Sequence, residues 1–272
     1  MSRLGTRFAK LRAENRGGLI PFLEAFDPDR DTSLAILRGL PGAGADVIEL
    51  GIPFTDPMAD GPIVQRAALR GLAAGATLAG TLAMVRAFRA EDDTTPVILM
   101  GYLNPIEQYG HEQFCEDATR SGVDGVIVVD LPSEEAGLLL PHALRAGLDL
   151  VRLVAPTTDE ARLPLVMDGG SGFVYYVSIT GITGAGRASE AELAAAMPRL
   201  RTITDLPIAI GFGIRTQEHV AMATSLADAA VVGSALIESL ERSLTDERRA
   251  TRSTVSHVLD HVRTLAAAIK PR

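Results

Sequence analysis

Short apolar runs rich in β-branched residues recur along the chain, with room for a helix between most of them. The eight runs are Leu19–Leu23, Asp46–Leu50, Pro96–Leu99, Gly125–Val129, Leu148–Val154, Phe173–Val177, Pro207–Ile210 and Ala229–Val232. Most of them are continuously apolar rather than alternating, which is typical of parallel strands that are covered by helices. We therefore predict eight parallel β-strands.

The stretches between these runs carry helix signals. Ser133-Glu134-Glu135 precedes a leucine-rich stretch, and Ser189-x-x-Glu192 has the spacing of a capping box. Eight strand–helix units predict an α/β fold, a single (β/α)8 TIM barrel that forms one domain over residues 1–272. The alternative is a doubly wound open sheet. Such a sheet would more often have fewer strands and a G-x-G-x-x-G turn after the first strand, which this chain lacks.

Both ends of the chain predict an additional helix. The first 18 residues alternate charged with apolar positions and lack a hydrophobic signal core, which favours a helix that caps the fold. Asp246–Ile269 has the pattern of an added amphipathic helix that closes the barrel.

Composition and charge narrow the range of partners. A net charge of −8 argues against nucleic acid or an anionic membrane as the main partner. No apolar run approaches the ~20 residues that span a bilayer. The single cysteine, Cys115, cannot form an internal disulfide, and we interpret it as a small core or surface residue. We expect a cytoplasmic protein.

The motif ELGIPFTDPMADGP, residues 49 to 62, carries the strongest chemical signal. Glu49 lies within an apolar strand, where a charged side chain is costly unless it is paired or used. Asp56 and Asp60 follow in a loop broken by glycine and proline. Two acids placed by one strand and its following loop can divide acid and base work. The alternatives are a buried ion pair with an arginine for Glu49, and local turn structure for Asp56.

Glycines gather after the last three predicted strands, in Gly181–Gly186, Gly211-Phe212-Gly213 and Gly233-Ser234. Glycine lets backbone N–H groups approach an anion, and barrels frequently bind phosphate after strands seven and eight. Tight barrel turns are the alternative interpretation. The loop 178–189 has the composition of a lid that excludes water, or of an ordinary surface loop.

The barrel rule places the ends of all eight strands around one mouth. The rule selects Glu49, Asp130, Tyr175, Gly211–Gly213 and Gly233–Ser234 as neighbours. We interpret Asp130 as an acid that anchors a loop or caps a helix rather than as a catalytic group.

Other side chains exclude several classes of enzyme. The only lysines, Lys10 and Lys270, stand near the termini, which excludes a Schiff-base aldolase with a lysine at a strand end. No histidine has H-x-x-H or H-E-x-x-H spacing, so we predict no metal site. Carboxylates, hydroxyls and backbone amides remain, and these suit proton transfers on a phosphorylated substrate.

The motifs ELGIPFTDPMADGP, SITGITGAG, GFGI and Gly233-Ser234 closely resemble those of the tryptophan synthase alpha chain family, from about Phe8 to the C-terminus. The resemblance implies a (β/α)8 barrel without a cofactor of its own that cleaves indole-3-glycerol phosphate into indole and glyceraldehyde 3-phosphate. It also implies that indole passes to a beta chain that contains pyridoxal phosphate, in an α2β2 complex.

The resemblance also implies roles for individual residues. Glu49 resembles the general acid–base, and Asp60 the carboxylate that faces the indole nitrogen. Asp56 and its loop would belong to the surface that meets the beta chain, and Thr183 would lie near Asp60 when its loop is closed. The implied substrate-binding residues are Phe22 and Met100 at the indole ring, Tyr175, Thr183, and Gly184, Phe212, Gly213, Gly233 and Ser234 at the phosphate.

One segment departs from the family pattern. Where the family usually reads T-A-G-D-P, this chain has Glu24-Ala25-Phe26-Asp27-Pro28. Phe26 cannot adopt a positive φ as cheaply as glycine, so we expect a reshaped loop near the site. The departure leaves two alternatives to a coupled alpha chain: a stand-alone indole-releasing lyase, and a non-catalytic partner that regulates a beta chain. A phosphosugar isomerase barrel would share the phosphate loops but has no reason to keep the motif from Glu49 to Pro62.

Overall fold

The strands form one parallel sheet that closes on itself. A computed structural model describes residues 2–177, 190–211 and 213–271. Its strands are β1 Gly18–Glu24, β2 Ile48–Gly51, β3 Val97–Gly101, β4 Gly125–Val128, β5 Asp149–Leu150, β6 Arg152–Val154, β7 Val174–Val177, β8 Ile208–Gly211 and β9 Ala229–Val232.

The hydrogen-bonded order of these strands is β5-β4-β3-β2-β1-β9-β8-β7-β6. The two edges of the sheet, β5 and β6, are parts of one chain segment separated by Val151 alone. The sheet is therefore a closed barrel. The predicted fifth strand, Leu148–Val154, is divided into β5, which pairs with β4, and β6, which pairs with β7. The predicted TIM barrel is confirmed.

Helices surround the barrel between successive strands. In the described ranges they are α1 Arg3–Ala13, α2 Arg30–Gly39, α3 Pro62–Ala73, α4 Leu78–Arg89, α5 Leu103–Tyr109, α6 His111–Ser121, α7 Leu140–Ala146, α8 Leu163–Met167, α9 Glu190–Arg201, α10 Gln217–Leu226, α11 Ser234–Arg242 and α12 Thr254–Ala266. Short 3-10 turns cover Pro41–Ala43 and Ser133–Leu138. No single helix among the described residues is long and apolar enough to cross a membrane, although α3 and α4, bent by 91°, pass that test together.

The core has two layers because strand side chains alternate between the barrel interior and the helices. One cluster fills the interior and includes Ile20, Ile98, Ile127 and Phe173. The other lies between the strands and the helices and includes Leu19, Ile48 and Leu99. Both layers bury apolar side chains, which explains why the strands are continuously apolar in sequence.

The N-terminal helix closes one end of the barrel, as predicted. Leu4, Phe8 and Leu11 lie on one face of α1, are buried, and belong to the interior cluster. The Phe8 ring packs 5.8 Å from that of Phe173, centroid to centroid. This helix therefore fills the interior opposite the mouth.

The C-terminal helix is shorter than predicted: α12 begins at Thr254 rather than Asp246 and ends at Ala266 rather than Ile269. The amide of Thr251 donates to the hydroxyl of Thr254, and the Thr251 hydroxyl donates to the carbonyl of Ser243. Such hydrogen bonds between hydroxyls and the backbone compete with helix formation. The helix packs against α2, α10 and α11, so it covers the joint between the first and last strand–helix units.

The loop after β1 keeps a left-handed backbone in spite of Phe26, whose φ is +65°. That conformation costs about 1–2 kcal/mol for a residue other than glycine. The ring is buried and lies over Gly80 of α4, where a Cβ would collide with it. Asp27 is fixed by Arg70, with Nε–Oδ1 at 2.6 Å and Nη2–Oδ2 at 2.8 Å. Packing of the ring and the ion pair of the next residue therefore stabilise a left-handed conformation that glycine would adopt more easily.

The helix α1 offers a direct test of how the barrel is stabilised. Phe8→Ala should lower the free energy of unfolding by about 3–5 kcal/mol, because it empties a site between α1 and Phe173. Arg12→Ala, at an exposed position of the same helix, should change it by less than about 0.5 kcal/mol. Urea unfolding followed by circular dichroism measures both, and equal effects would contradict the role given to α1.

Candidate active site

Glu49 is the second residue of β2 and points into the barrel, one layer below the mouth. It is 1% exposed, and both of its carboxyl oxygens lack a hydrogen-bond partner among the described residues. Burial, reinforced by the nearby charge of Asp60, raises the pKa of Glu49 to about 8. The alternative of a buried ion pair with an arginine is wrong for the described part of the chain. Glu49 is therefore protonated at neutral pH and can act as an acid.

Asp60 lies in the loop after β2 and is less buried than Glu49. Burial raises its pKa to about 6, and a hydrogen bond with Tyr102 opposes that rise. The Tyr102 hydroxyl also accepts a hydrogen bond from the amide of Ala59 at 3.1 Å, so the tyrosine fixes this end of the loop. The two acids thus have separate pKa values, with Asp60 ionised and Glu49 protonated near pH 7.

A small cavity beside these acids has mainly apolar walls. Phe22, Phe54, Asp60, Met100 and Tyr102 are among the residues that line it. Phe22 of β1 pairs in register with Glu49, and Met100 of β3 pairs with Gly51, so neighbouring strands supply both walls. The structure therefore brings together the two predicted catalytic acids and the two predicted ring-binding residues.

Tyr175 reaches the same interior from β7. Its ring is buried and its hydroxyl lies over Gly211, where any Cβ would collide with it. Burial and the charge of Glu49 raise the pKa of Tyr175 well above its ordinary value, so the hydroxyl stays protonated. Glycine at 211 is thus required for the position of the tyrosine.

The predicted phosphate residues stand on the neighbouring strand ends. Gly213 follows β8 with φ +82°, and Gly233 precedes α11, which begins at Ser234. The first amides of a helix have no acceptor within it and favour an anion. Thr183, Gly184 and Phe212 lie outside the described residues, as does the predicted capping residue Ser189.

Three other residues considered in the sequence take part in local structure or in the core. Asp130 accepts a hydrogen bond from the amide of Leu103 at 2.7 Å and so anchors the start of α5, as expected. Asp56 is exposed and takes part in a local turn through the Thr55 hydroxyl. Cys115 is buried in the outer core, where burial raises the pKa of its thiol to about 11.

The mouth also holds two polar residues that the sequence did not single out as site residues. Tyr102 follows β3 directly, so the strand-end rule could have found it. Glu24 ends β1 and lines the cavity with Asp60, yet the sequence shows it only as a departure from a family pattern. Its orientation follows from the register of β1 on β2, which the sequence does not display.

A larger cavity lies beside β4 and β6 and contains none of the predicted catalytic or substrate-binding residues. Asp130, Ser133, Arg152, Thr158 and Arg162 are among its lining residues. We place the chemistry in the smaller cavity because Asp60 lines it and Glu49 stands beside it. Among the described residues, no group of three or more His, Cys, Asp or Glu side chains could hold a metal ion.

The fold and the site define a (β/α)8-barrel protein with two carboxyl groups of raised pKa beside a small, mainly apolar cavity. The family model described as tryptophan synthase alpha chain matches residues 8–270. The alpha chain of Granulibacter bethesdensis is 65% identical over 270 residues, which covers 99% of this chain and 97% of that protein. The alpha chain of Gluconacetobacter diazotrophicus is 62% identical, with 99% and 98% covered.

Solved structures agree. The alpha subunit from Legionella pneumophila str. Paris superposes with a TM-score of 0.89 at 37% identity and covers 98% of each chain. A chain of tryptophan synthase from M. tuberculosis, in an aminoacrylate-bound form, gives 0.86 at 31% identity, with 99% and 100% covered. This chain belongs to the tryptophan synthase alpha chain family. It is a carbon–carbon lyase that cleaves indole-3-glycerol phosphate to indole and glyceraldehyde 3-phosphate.

Proposed function

We propose that Glu49 and Asp60 are the catalytic residues of this retro-aldol cleavage. The observation that carries the proposal is a pair of acids with separated pKa values, about 8 and about 6, beside one apolar cavity. Such separation leaves Glu49 protonated and able to give a proton while Asp60 is ionised and able to stabilise a positive charge.

The reaction begins with protonation of the indole ring. The Glu49 carboxylic acid gives its proton to C3, and the positive charge that develops at the ring nitrogen is stabilised by the Asp60 carboxylate. The Glu49 carboxylate then takes the proton of the hydroxyl on the adjacent side-chain carbon. The C–C bond breaks, its electron pair returns to the ring, and an aldehyde forms. Glu49 ends protonated, as it began.

The remaining site residues bind the two ends of the substrate. Phe22 and Met100 would hold the indole ring, and Tyr175 would pack beside the reacting carbon. Gly213, Gly233 and Ser234 would bind the phosphate together with the N-terminus of α11, and we assign Gly184 and Phe212 to the same group. Thr183 would approach Asp60 on loop closure. The support is that the described members of this set occupy adjacent strand ends.

Glu49→Gln tests the acid–base assignment. The amide keeps the shape of the side chain but cannot exchange a proton, so kcat for indole release should fall by about 10²–10⁴-fold. Glu116→Gln on α6, at an exposed position, is the matched control and should retain full activity. Stopped assays of indole release measure both variants. Near-normal activity of Glu49→Gln would remove Glu49 from the mechanism.

The pH profile of kcat/KM gives a second test. Activity requires Asp60 ionised and Glu49 protonated, so it should rise as pH passes about 6 and fall as pH passes about 8. Both pKa values are raised, so each group keeps its proton to a higher pH than it would in water. Asp60→Asn should abolish the acidic limb of whatever activity remains. An acidic limb that persists unchanged in Asp60→Asn would contradict the assignment.

The family implies a beta-chain partner. We propose an α2β2 complex in the cytoplasm, in which indole passes to a beta chain that holds pyridoxal phosphate for synthesis of L-tryptophan, while this chain needs no cofactor. The loop around Asp56 would meet the partner. It carries Met58, which is 74% exposed, and α3 beside it carries Leu69, which is 60% exposed. Large exposed apolar side chains of this kind favour protein contacts.

Mixing with a matching beta chain separates this proposal from its alternatives. We expect weak indole release by the purified chain and a strong rise on mixing, which Met58→Asp should weaken without changing the activity of the free chain. Full activity without the beta chain would indicate a stand-alone lyase. A folded chain that is inactive alone and in the mixture would indicate a regulatory partner.

A further inference from the structure

Glu24 is a third carboxyl group at the mouth of the barrel. It ends β1 on the same strand face as Phe22, because side chains two residues apart point to one side of a strand. Phe22 pairs with Glu49 and Glu24 pairs with Gly51, so Glu24 lies one layer closer to the mouth than Glu49. It lines the small cavity together with Asp60.

Gly51 makes room for this carboxyl group. A Cβ at residue 51 would collide with Oε2 and Cδ of Glu24, so the carboxyl occupies the volume that a side chain on β2 would otherwise fill. Two neighbouring strands are thus matched, one supplying the acid and the other the space. The position of Glu24 is therefore set by packing rather than by chance orientation of a long side chain.

Acidic side chains surround Glu24, and no positively charged side chain among the described residues forms an ion pair with it. The group is 3% exposed, and the side-chain charges that act on it are those of Asp60, Asp27 and Glu49, all of them acids. Asp60 and Glu49 are nearby acids, and Tyr102 lines the same cavity. Asp27 is also near but is committed to Arg70. Burial first, and then these negative charges, raise the pKa of Glu24 well above its ordinary value of 4.5.

A neutral carboxylic acid differs from a carboxylate because it has an O–H group to donate. The carboxylate of Asp60 lines the same cavity as Glu24, and as a charged acceptor it forms a stronger hydrogen bond than the protonated carboxyl of Glu49 would. The indole ring has no oxygen or other acceptor of its own at this end of the cavity. A hydrogen bond to the charged form of Asp60 favours that form.

We propose that Glu24 is a positioning residue for the lyase reaction: it stays protonated through turnover and donates a hydrogen bond across the cavity that keeps Asp60 ionised. The inference rests on the catalytic role proposed for Asp60. Hydrogen bonds of this kind often shorten only when substrate closes the site.

The sign of one pKa shift tests the proposal. In Glu24→Leu the donor is lost, so the acidic limb of kcat/KM should move to higher pH, and kcat at pH 7 should fall about 10- to 100-fold, as for a lost hydrogen bond to a charged group. Glu24→Gln keeps a neutral donor of similar size, so its limb should stay in place with kcat within about threefold of the parent. Glu116→Leu, at an exposed position, is the control.

An ionised Glu24 would give the opposite result. Its removal would relieve repulsion on Asp60 and move the acidic limb to lower pH. That outcome would overturn the proposal. So would an acidic limb that does not move in Glu24→Leu, and so would an equal loss of kcat in Glu24→Gln and Glu24→Leu.

Two measurements do not depend on activity. Infrared difference spectra of the parent protein and Glu24→Gln at pH 7 should show the loss of one carboxylic-acid C=O band, and no such loss would overturn the proposal even if Glu24→Leu failed to fold. Glu24→Leu should also melt at a higher temperature at pH 7. Between pH 4.5 and the folded pKa, unfolding releases the Glu24 proton, so stability falls as pH rises, and leucine removes that dependence.

These readouts separate this inference from the proposed function. Near-normal activity of Glu49→Gln would reject the mechanism while leaving the infrared and melting results on Glu24 intact. A normal Glu49 result combined with an unmoved acidic limb in Glu24→Leu would reject the role of Glu24 alone.

Discussion

The burial of carboxyl groups without a cation at one end of a closed barrel is the constraint on which the site depends. An isolated ionised carboxylate in an apolar interior is so costly that the group keeps its proton instead. Glu49 obeys this rule at the end of β2, where both of its oxygens lack partners among the described residues. The barrel tolerates the cost because its two core layers and α1 bury apolar side chains elsewhere. The consequence is that Glu49 holds a proton at neutral pH.

The register of the strands determines where the buried carboxyl groups lie relative to one another. In one layer the aromatic ring of Phe22 lies beside the acid Glu49. In the next layer the acid Glu24 lies beside Gly51, which leaves space for it. A one-residue slip of β1 against β2 would send Glu24 to the opposite face. Closure of the sheet through β5 and β6 prevents such a slip, because a closed barrel has no free edge along which strands can shift.

The sequence predicted the barrel because parallel strands covered on both sides leave a continuous apolar signal. It did not predict the break at Val151, since pairing with β4 on one side and β7 on the other is decided by neighbours distant in sequence. The helix predicted at the C-terminus was too long at its start. Threonine can stand within a helix, but its hydroxyl can also replace the helical hydrogen bonds, as at Thr251 and Thr254. The sequence did not show that Gly80 leaves space for the ring of Phe26, because this contact joins residues far apart in the sequence.

Site residues divide in the same way. Glu49 could be predicted from sequence, since a charge within an apolar strand is informative in any fold. Tyr102 needed only the strand-end rule, whereas Glu24 required knowledge of what it faces. For both Glu24 and Glu49, the sequence does not show whether the folded chain brings a cation next to the carboxyl group. The roles of the predicted site residues remain proposals, and so does the one-domain organisation.

The other buried acids of the chain show why the absence of a cation at the mouth matters. Asp46 precedes β2 and is held by Arg16 at 2.8 Å, and Asp124 precedes β4 and is held by Arg89 at 2.7 Å. Both stand at the end of the barrel opposite the mouth, where they also accept hydrogen bonds from strand amides. Arginines are therefore available to this fold, and at these two buried positions the chain pairs an acid with one. A cation beside Glu49 or Glu24 would lower their pKa values and favour the ionised form of both carboxyl groups at neutral pH. The acids at the mouth are costly to bury because none of them has a cation partner among the described residues. They are confined to β1, β2 and the following loop, so that cost falls on one side of the mouth, around the small cavity.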